Sequence, residues 1–217
     1  MTKGADTRRE IIEKAAPLFN QKGFEGTSLS DLMRVTGLQK GGLYRHFSSK
    51  EELAGEAFDY AWQRAVIVRL HGIDEAADSV ERLRKMIDNF VDLREGLVPG
   101  GCPLMNTAVE ADDGNSMLRN RAKGALNEWM AKLSKTAARG IAEKEIDPRV
   151  DPKILAQVII SSLEGALLVS RLENDRSPLN HVRRHLLQYI DEAVRVRRAG
   201  HRRGRVRGRS GGRHATA

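Results

Sequence analysis

Apolar residues recur along this chain with the spacing of helices, not strands. Ile11, Ile12, Ala15, Ala16, Leu18 and Phe19 share one face of a first helix over residues 7–22. Thr7 with Glu10 has capping-box spacing. Pro17 predicts a local kink, since it lacks the N–H its turn requires, and Gly23 ends the helix. Thr27 and Ser28 are placed to cap a short second helix carrying Leu29, Leu32 and Met33, which Gly37 ends. Leu43 and Phe47 are the buried positions of a third short helix. Ser49 with Glu52 repeats the capping-box spacing before a long fourth helix to about residue 70. Leu83, Met86, Ile87, Phe90 and Val91 mark a fifth. Pro99-Gly100-Gly101 breaks the chain, a sixth helix follows over 102–112, and residues from Leu118 to Leu133 mark a long seventh. Asp151-Pro152 and Ser177-Pro178 each set a capping side chain before a first-turn proline. They open an eighth helix to about residue 174 and a ninth to about residue 197. With no strand-like alternation and no repeat, the expectation is an all-α protein of about nine helices. It divides into a three-helix N-terminal domain (1–48), a larger helical domain (49–197) and a disordered Arg/Gly-rich tail (198–217).

Charge changes this picture by its distribution. The net charge of the 217-residue chain is +8. Residues 1–50 are net +4, residues 51–194 are net −5, and residues 195–217 hold nine arginines and no acid. A basic reader, an acidic middle and a cationic tail follow, and overall charge alone would mislead. The tail suits a flexible arm on DNA, a solubilising segment or an RNA contact. The lone Cys102 permits no intrachain disulfide and, with no signal-peptide-like start, suits a cytoplasmic, nucleoid-associated protein. The most apolar run, 154–163, is broken by Glu164 and reads as too short for a membrane. No HExxH, GxSxG, P-loop or paired-cysteine motif occurs, so no enzyme activity, cofactor or metal is expected. His181 and His185 are four apart but lie among Arg183 and Arg184 on a solvated face.

Two short helices joined at Gly37 have helix-turn-helix form, in which the second helix enters the major groove and the first crosses the backbone. Gln39 is fit to read a base edge or a phosphate, and Lys40, Arg45 and His46 to meet phosphates or guanine. Gly41 and Gly42 let the backbone approach DNA, and Tyr44 offers a hydroxyl on a rigid ring. Spacing alone also fits a small helical subdomain with an ordinary solvated face.

The stretches 23–28 (GFEGTS), 36–47 (TGLQKGGLYRHF) and 49–53 (SKEEL) resemble the signature of the TetR family of bacterial regulators. The layout of three short helices followed by six more is similar too. The resemblance implies a homodimeric, usually repressing regulator of double-stranded DNA with a small-molecule effector. By motif position the recognition helix is 39–47. Thr27 and Ser28 would touch phosphate, and Lys40, Tyr44, His46 and Lys50 would hold the backbone. The chain departs from the commonest pattern at Gln39, where a small hydroxyl residue is usual, at Gly42, where threonine is frequent, and at Arg45, where a second tyrosine is common.

The eighth helix is apolar around most of its circumference (Ile154, Leu155, Val158, Ile159, Ile160, Leu163, Leu167, Leu168), so two sides need cover. The resemblance implies that helices 152–174 and 177–197 pair with their symmetry mates as a four-helix interface. It also places Phe58, Trp62, Met86, Phe90, Met105 and Trp129 around an effector cavity, where such residues suit an adaptable apolar site. Cys102, after two glycines at a helix start, is a candidate for a depressed pKa and reaction with electrophiles, or a small buried apolar residue. Asn106, Thr107 and Glu110 are candidate polar contacts to the ligand. Alternatives to a ligand-responsive repressor are a constitutive architectural DNA binder and a sensor acting through Cys102.

Overall fold

The computed structural model describes residues 3–92 and 97–196. The expected tail, 198–217, lies outside the described residues. The elements are α1 (Lys3–Lys22), α2 (Leu29–Thr36), α3 (Lys40–Tyr44), α4 (Lys50–Arg69), α5 (Ser79–Val91), α6 (Pro103–Ala111), α7 (Ser116–Ala142), α8 (Pro152–Glu173) and α9 (Ser177–Tyr189). A five-residue π-helical turn, Ile190–Val194, follows. The only β pairing among the described residues is a single antiparallel bridge between Ile146 and Arg195.

Local signals explain most helix ends. Ser28 caps α2 in a reciprocal box with Asp31, and Gly37 closes it at φ 74°, a left-handed conformation that favours glycine. Asp151 accepts from the backbone N–H groups of Lys153 and Ile154 ahead of Pro152, and Asn174 ends α8 in the left-handed region. Four expectations need correction. α1 begins at Lys3, so Thr7 lies inside the helix and not at its N-cap. Ser49 accepts from the Glu52 N–H, but the Glu52 carboxylate turns to Ser48 and Arg8, leaving that box half made. Ser177 is the first residue of α9, not its cap, because its hydroxyl is bonded to Asp175. α9 stops at Tyr189. The wider π turn carries both Ile190 and Val194 into the core, after which the chain pairs beside Glu145–Asp147.

Two cores share one helix. Ile11, Ala15 and Leu18 of α1, Leu32 of α2, Leu43 of α3, Phe47 and Leu53 form a small N-terminal core. A larger core runs from Phe58 through α5, α7, α8 and α9 to Val194. α4 contributes Leu53 to the first and Phe58, Trp62 and Ala65 to the second. Small residues close the junction: Ala16 of α1 meets Ala57 and Ala61 of α4 beside Val98, and Ala54 meets Ala111 and Leu118.

By length and composition α8 would suffice to cross a membrane, contrary to the expectation from its break at Glu164. A single charge does not end the run, because Ala166, Leu167, Leu168 and Val169 continue it. In the fold, Leu155, Ile159 and Leu163 on one side of α8 are buried against the rest of the large core. The other side leaves Ile154 (60%), Val158 (40%), Val169 (41%) and Leu172 (78%) exposed, a stripe at helical spacing, with Tyr189 of α9 also exposed.

A candidate DNA-binding face linked to an internal cavity

The second and third helices present the polar residues that the sequence pointed to. Gln39 stands at the N-cap of α3 and spends no side-chain bond on capping. Gln39, Lys40, Gly41, Tyr44 and Arg45 are exposed, while Gly42 and His46 are half-buried. Gly41 has no protein atom near the position of a β-carbon, whereas Gly42 faces Leu38 at 3.4 Å. Behind this face Leu43 and Phe47 anchor α3 in the small core. Ser28 is exposed at the start of α2, and Lys50 places its Nζ 4.2 Å over the Phe24 ring, beside the turn that leads into α2. Thr27 does not belong with them. Its side chain is fully buried and its hydroxyl donates to the Gly23 carbonyl at 2.6 Å, so it shapes the turn and is closed to phosphate.

Arg8 of α1, which sequence reasoning passed over, fastens this domain. Its guanidinium lies 4.1 Å from the Phe47 ring, donates to the His46 carbonyl, and pairs with Glu52 at 2.7 Å and with Glu56. Helical periodicity sets Arg8 on the same face as Ile11, Ile12, Ala15 and Phe19, but it does not name the partners that a charge on that face will meet. Bonds from the Ser48 hydroxyl and N–H, together with Arg8, hold the Glu52 carboxyl down at about 2. Arg34, the Ser28 cap and Lys22 hold Asp31 well below the usual carboxylate range.

In the larger domain Trp62, Phe90 and Trp129 come together: Phe90 stacks on Trp129 at 5.6 Å and Trp62 tilts against it at 6.2 Å. Between them sits Arg69, its guanidinium carbon 4.0 Å from the Trp129 ring, 4.8 Å from Phe90 and 5.1 Å from Trp62. Arg69 Nη2 donates to the Cys102 sulfur at 3.1 Å, the Cys102 thiol donates to Glu164 Oε1 at 2.8 Å, and Glu164 stands 3.6 Å from Arg69. The sequence did carry a signal for this cluster: Arg69 lies two turns beyond Trp62 on a buried face, and Glu164 interrupts the most apolar helix.

Arg69 lines two cavities. One, about 310 Å³, is bounded by Trp62, Val66, Trp129, Lys132 and Lys135, and the other, about 280 Å³, by Phe90, Gly100, Gly101, Cys102 and Arg171. Four expected ligand contacts are thus at cavity walls: Trp62, Phe90, Cys102 and Trp129. Phe58 borders a hollow of about 20 Å³, with Thr107 and Glu110, while Met86 and Met105 pack with the core and line neither of the Arg69 cavities. Cys102 is buried, and burial pushes its thiol up to about 11 against the pull of Arg69, with Glu164 adding to the rise. Desolvation and a neighbouring carboxylate thus oppose a depressed, reactive thiolate at this position.

Asn106 also moves from ligand to linker. Its amide donates to the Asn20 carbonyl (2.9 Å), to Asn20 Oδ1 (3.0 Å) and to the Gly100 carbonyl (2.9 Å). Asn20 donates in turn to the carbonyls of Pro99 (3.0 Å) and Gly101 (3.2 Å). Glu110 of α6 accepts from the backbone N–H groups of Phe24 and Glu25 at 2.8 and 2.9 Å. The loop that walls the second cavity is thereby bonded to the helix that carries the DNA-binding domain.

Comparison with known proteins agrees with this architecture. Residues 11–57 match the family described as bacterial regulatory proteins, tetR family, and residues 79–186 match the tetracyclin repressor-like C-terminal domain. A TetR transcriptional regulator from Chloroflexus aurantiacus J-10-FL is 42% identical, covering 91% of this chain and 100% of its own, with a TM-score of 0.86. An HTH-type transcriptional regulator of Mycobacterium tuberculosis (strain ATCC 25618 / H37Rv) is 31% identical over 189 residues, 82% of this chain and 91% of that one. The HTH-type transcriptional repressor DhaR of Mycobacterium sp. (strain GP1) is 26% identical over 173 residues, 80% of this chain and 86% of that one. An exposed helix-turn-helix, a helical second domain and these matches at both ends lead to one conclusion: the chain belongs to the TetR family of DNA-binding transcriptional regulators.

Proposed function

We propose that this regulator is a homodimeric repressor that binds a palindromic operator and is released by a small-molecule effector. The observation that carries this reading is the chain of bonds from cavity to reader, Gly100–Asn106–Asn20. An effector that shifts the loop at residues 98–102 acts directly on α1, and one that moves Arg69 acts on α4, which both cores share. Such an effector releases DNA only by binding the DNA-incompetent arrangement more tightly, and a hundredfold release needs about 2.7 kcal/mol of that preference.

In this reading residues 1–48 form the reader and residues 49–197 the regulatory domain, at work in the cytoplasm on the nucleoid. Gln39 and Arg45 face the groove, Lys40, Tyr44, His46, Lys50 and Ser28 hold phosphates, and Gly41 and Gly42 allow close approach. The stripe Ile154, Val158, Val169 and Leu172 is the dimer surface, an exposed apolar face that a second copy would cover. Two readers about 34 Å apart then meet successive major grooves. The relative from Mycobacterium sp. is itself named a repressor. A sensor role through Cys102 is disfavoured by its raised thiol pKa.

Selection of bound sequences from random DNA tests the proposal. A palindromic consensus with half-sites about 10 base pairs apart is expected. Recovery without any consensus would overturn it in favour of an architectural role.

A further inference from the structure

The middle of this chain, residues 51–194, is acidic, yet the walls of the two cavities that share Arg69 are mainly basic. Among the described residues the cavity at Gly100–Cys102 has Arg69 and Arg171 in its lining and no carboxylate. The neighbouring cavity has Arg69, Lys132 and Lys135 against the single carboxylate of Glu128, which accepts from the Trp62 indole N–H. Arg69 is common to both, and its side chain is 8% exposed. Its charge is balanced by Glu164 at 3.6 Å, beyond direct hydrogen-bond range, and that carboxylate takes its hydrogen bond from Cys102 instead. Arg69 Nη1 is buried and has no hydrogen-bond partner among the described residues. Asn89 Oδ1 in the cavity wall and Glu164 Oε2 also lack partners, but both are acceptors, so the unmade donor is the guanidinium's. Leaving a buried charged donor unmade costs more than an ordinary hydrogen bond gains, so such a group is a standing attraction for an acceptor.

The three rings fix what kind of acceptor. Trp62, Phe90 and Trp129 surround the guanidinium as an aromatic cage, a geometry that elsewhere serves external cations. Here the cage is filled by the protein's own cation, which opposes a second positive charge and stays locked in place. A guanidinium held this way is pre-organised for a carboxylate, whose two oxygens match its fork. Volumes near 300 Å³ lie at the small end of ligand sites.

We propose that the effector is a small organic anion, a short-chain or aryl monocarboxylate, bound by caged Arg69 with Arg171 at the cavity mouth. This rests on the reading that the cavity holds an effector. Thermal unfolding of the full chain with benzoate, phenylacetate or hexanoate is the direct test, each set against its neutral amide and against tetramethylammonium. At least one acid is expected to raise the melting temperature, with its amide roughly tenfold weaker, the loss expected for one charge-assisted hydrogen bond. Equal shifts by acid and amide, a shift by tetramethylammonium, or no shift by any acid at millimolar concentration would overturn the proposal. Arg69→Met combined with Glu164→Gln removes the guanidinium while keeping the site neutral, and should abolish the acid's shift. Arg171→Gln, at an exposed position, should weaken it several-fold without loss of fold, and an undiminished shift in either variant counts against the assignment. Release from operator DNA is measured separately. An acid that binds without releasing DNA overturns the repressor reading and leaves the ligand class standing, whereas release by a neutral compound does the reverse.

Discussion

At the scale of single residues, the charges that matter most in this protein are those given partners by remote elements. Arg8 and Glu52 are 44 positions apart in sequence and 2.7 Å apart in space. Glu52 shows what such a partner does to pH dependence. Its folded carboxyl titrates at about 2, against an ordinary value of 4.5, because Ser48 and Arg8 bond its ionised form. A depressed value means stabilisation that is complete above about 4.5 and drains away as pH falls toward about 2. Glu52→Gln should therefore be less stable than wild type at neutral pH, with the difference closing as acid is added. Denaturation followed by circular dichroism across that range checks this, and a difference that stays constant down to about 2 would contradict it.

At the scale of elements, the segment between α5 and α6 is the joint. Gly100 and Gly101 hold φ of 122° and 96°, in the region that favours glycine. At Gly100 a β-carbon would lie 2.6 Å from the Asn20 carbonyl oxygen, which Asn106 already uses. The two glycines thus let the cavity wall approach α1 closely enough to bond it. Gly100→Ala should cost about 1–3 kcal/mol in urea denaturation through strain at this backbone position. It should also blunt the effector's influence on operator affinity, since the joint is displaced. A variant as stable as wild type would show that the contact yields freely and transmits little.

At the scale of the whole molecule, one side of α8 is an exposed apolar face among the described residues. Ile154, Val158, Val169 and Leu172 are exposed although a helix of this apolarity gains nothing from water. Val169→Asp places a charge in the middle of that stripe while touching no core contact. If wild type is the proposed dimer, sedimentation velocity should then show a monomer at the same concentration. Operator affinity should fall by about tenfold or more, because each Val or Leu buried in an interface is worth roughly 1.5–3 kcal/mol. An unchanged sedimentation coefficient would place the dimer surface elsewhere.

The sequence by itself determined the helices and the reader. Local rules suffice there: Gly37 ends α2, Asp151 and Pro152 open α8, and Leu43 with Phe47 orients α3. The run from Gly23 to Leu53 is contiguous, so its motif could be read along the chain. Helix limits were misread where a residue had a competing partner, as with Ser177 bonded to Asp175 and the π turn drawn in by Ile190 and Val194. Only the tertiary structure decided what surrounds the cavities. Thr27 and Asn106 changed roles once burial and partners were known, and of the two readings of Cys102 the buried one stands. Arg69 acquired its place from Trp62, Phe90, Trp129, Cys102 and Glu164, which come from five different parts of the chain. Periodicity reports which face of a helix is apolar. It does not report which remote charge, ring or carbonyl that face will meet, and here those meetings set the chemistry of the cavity.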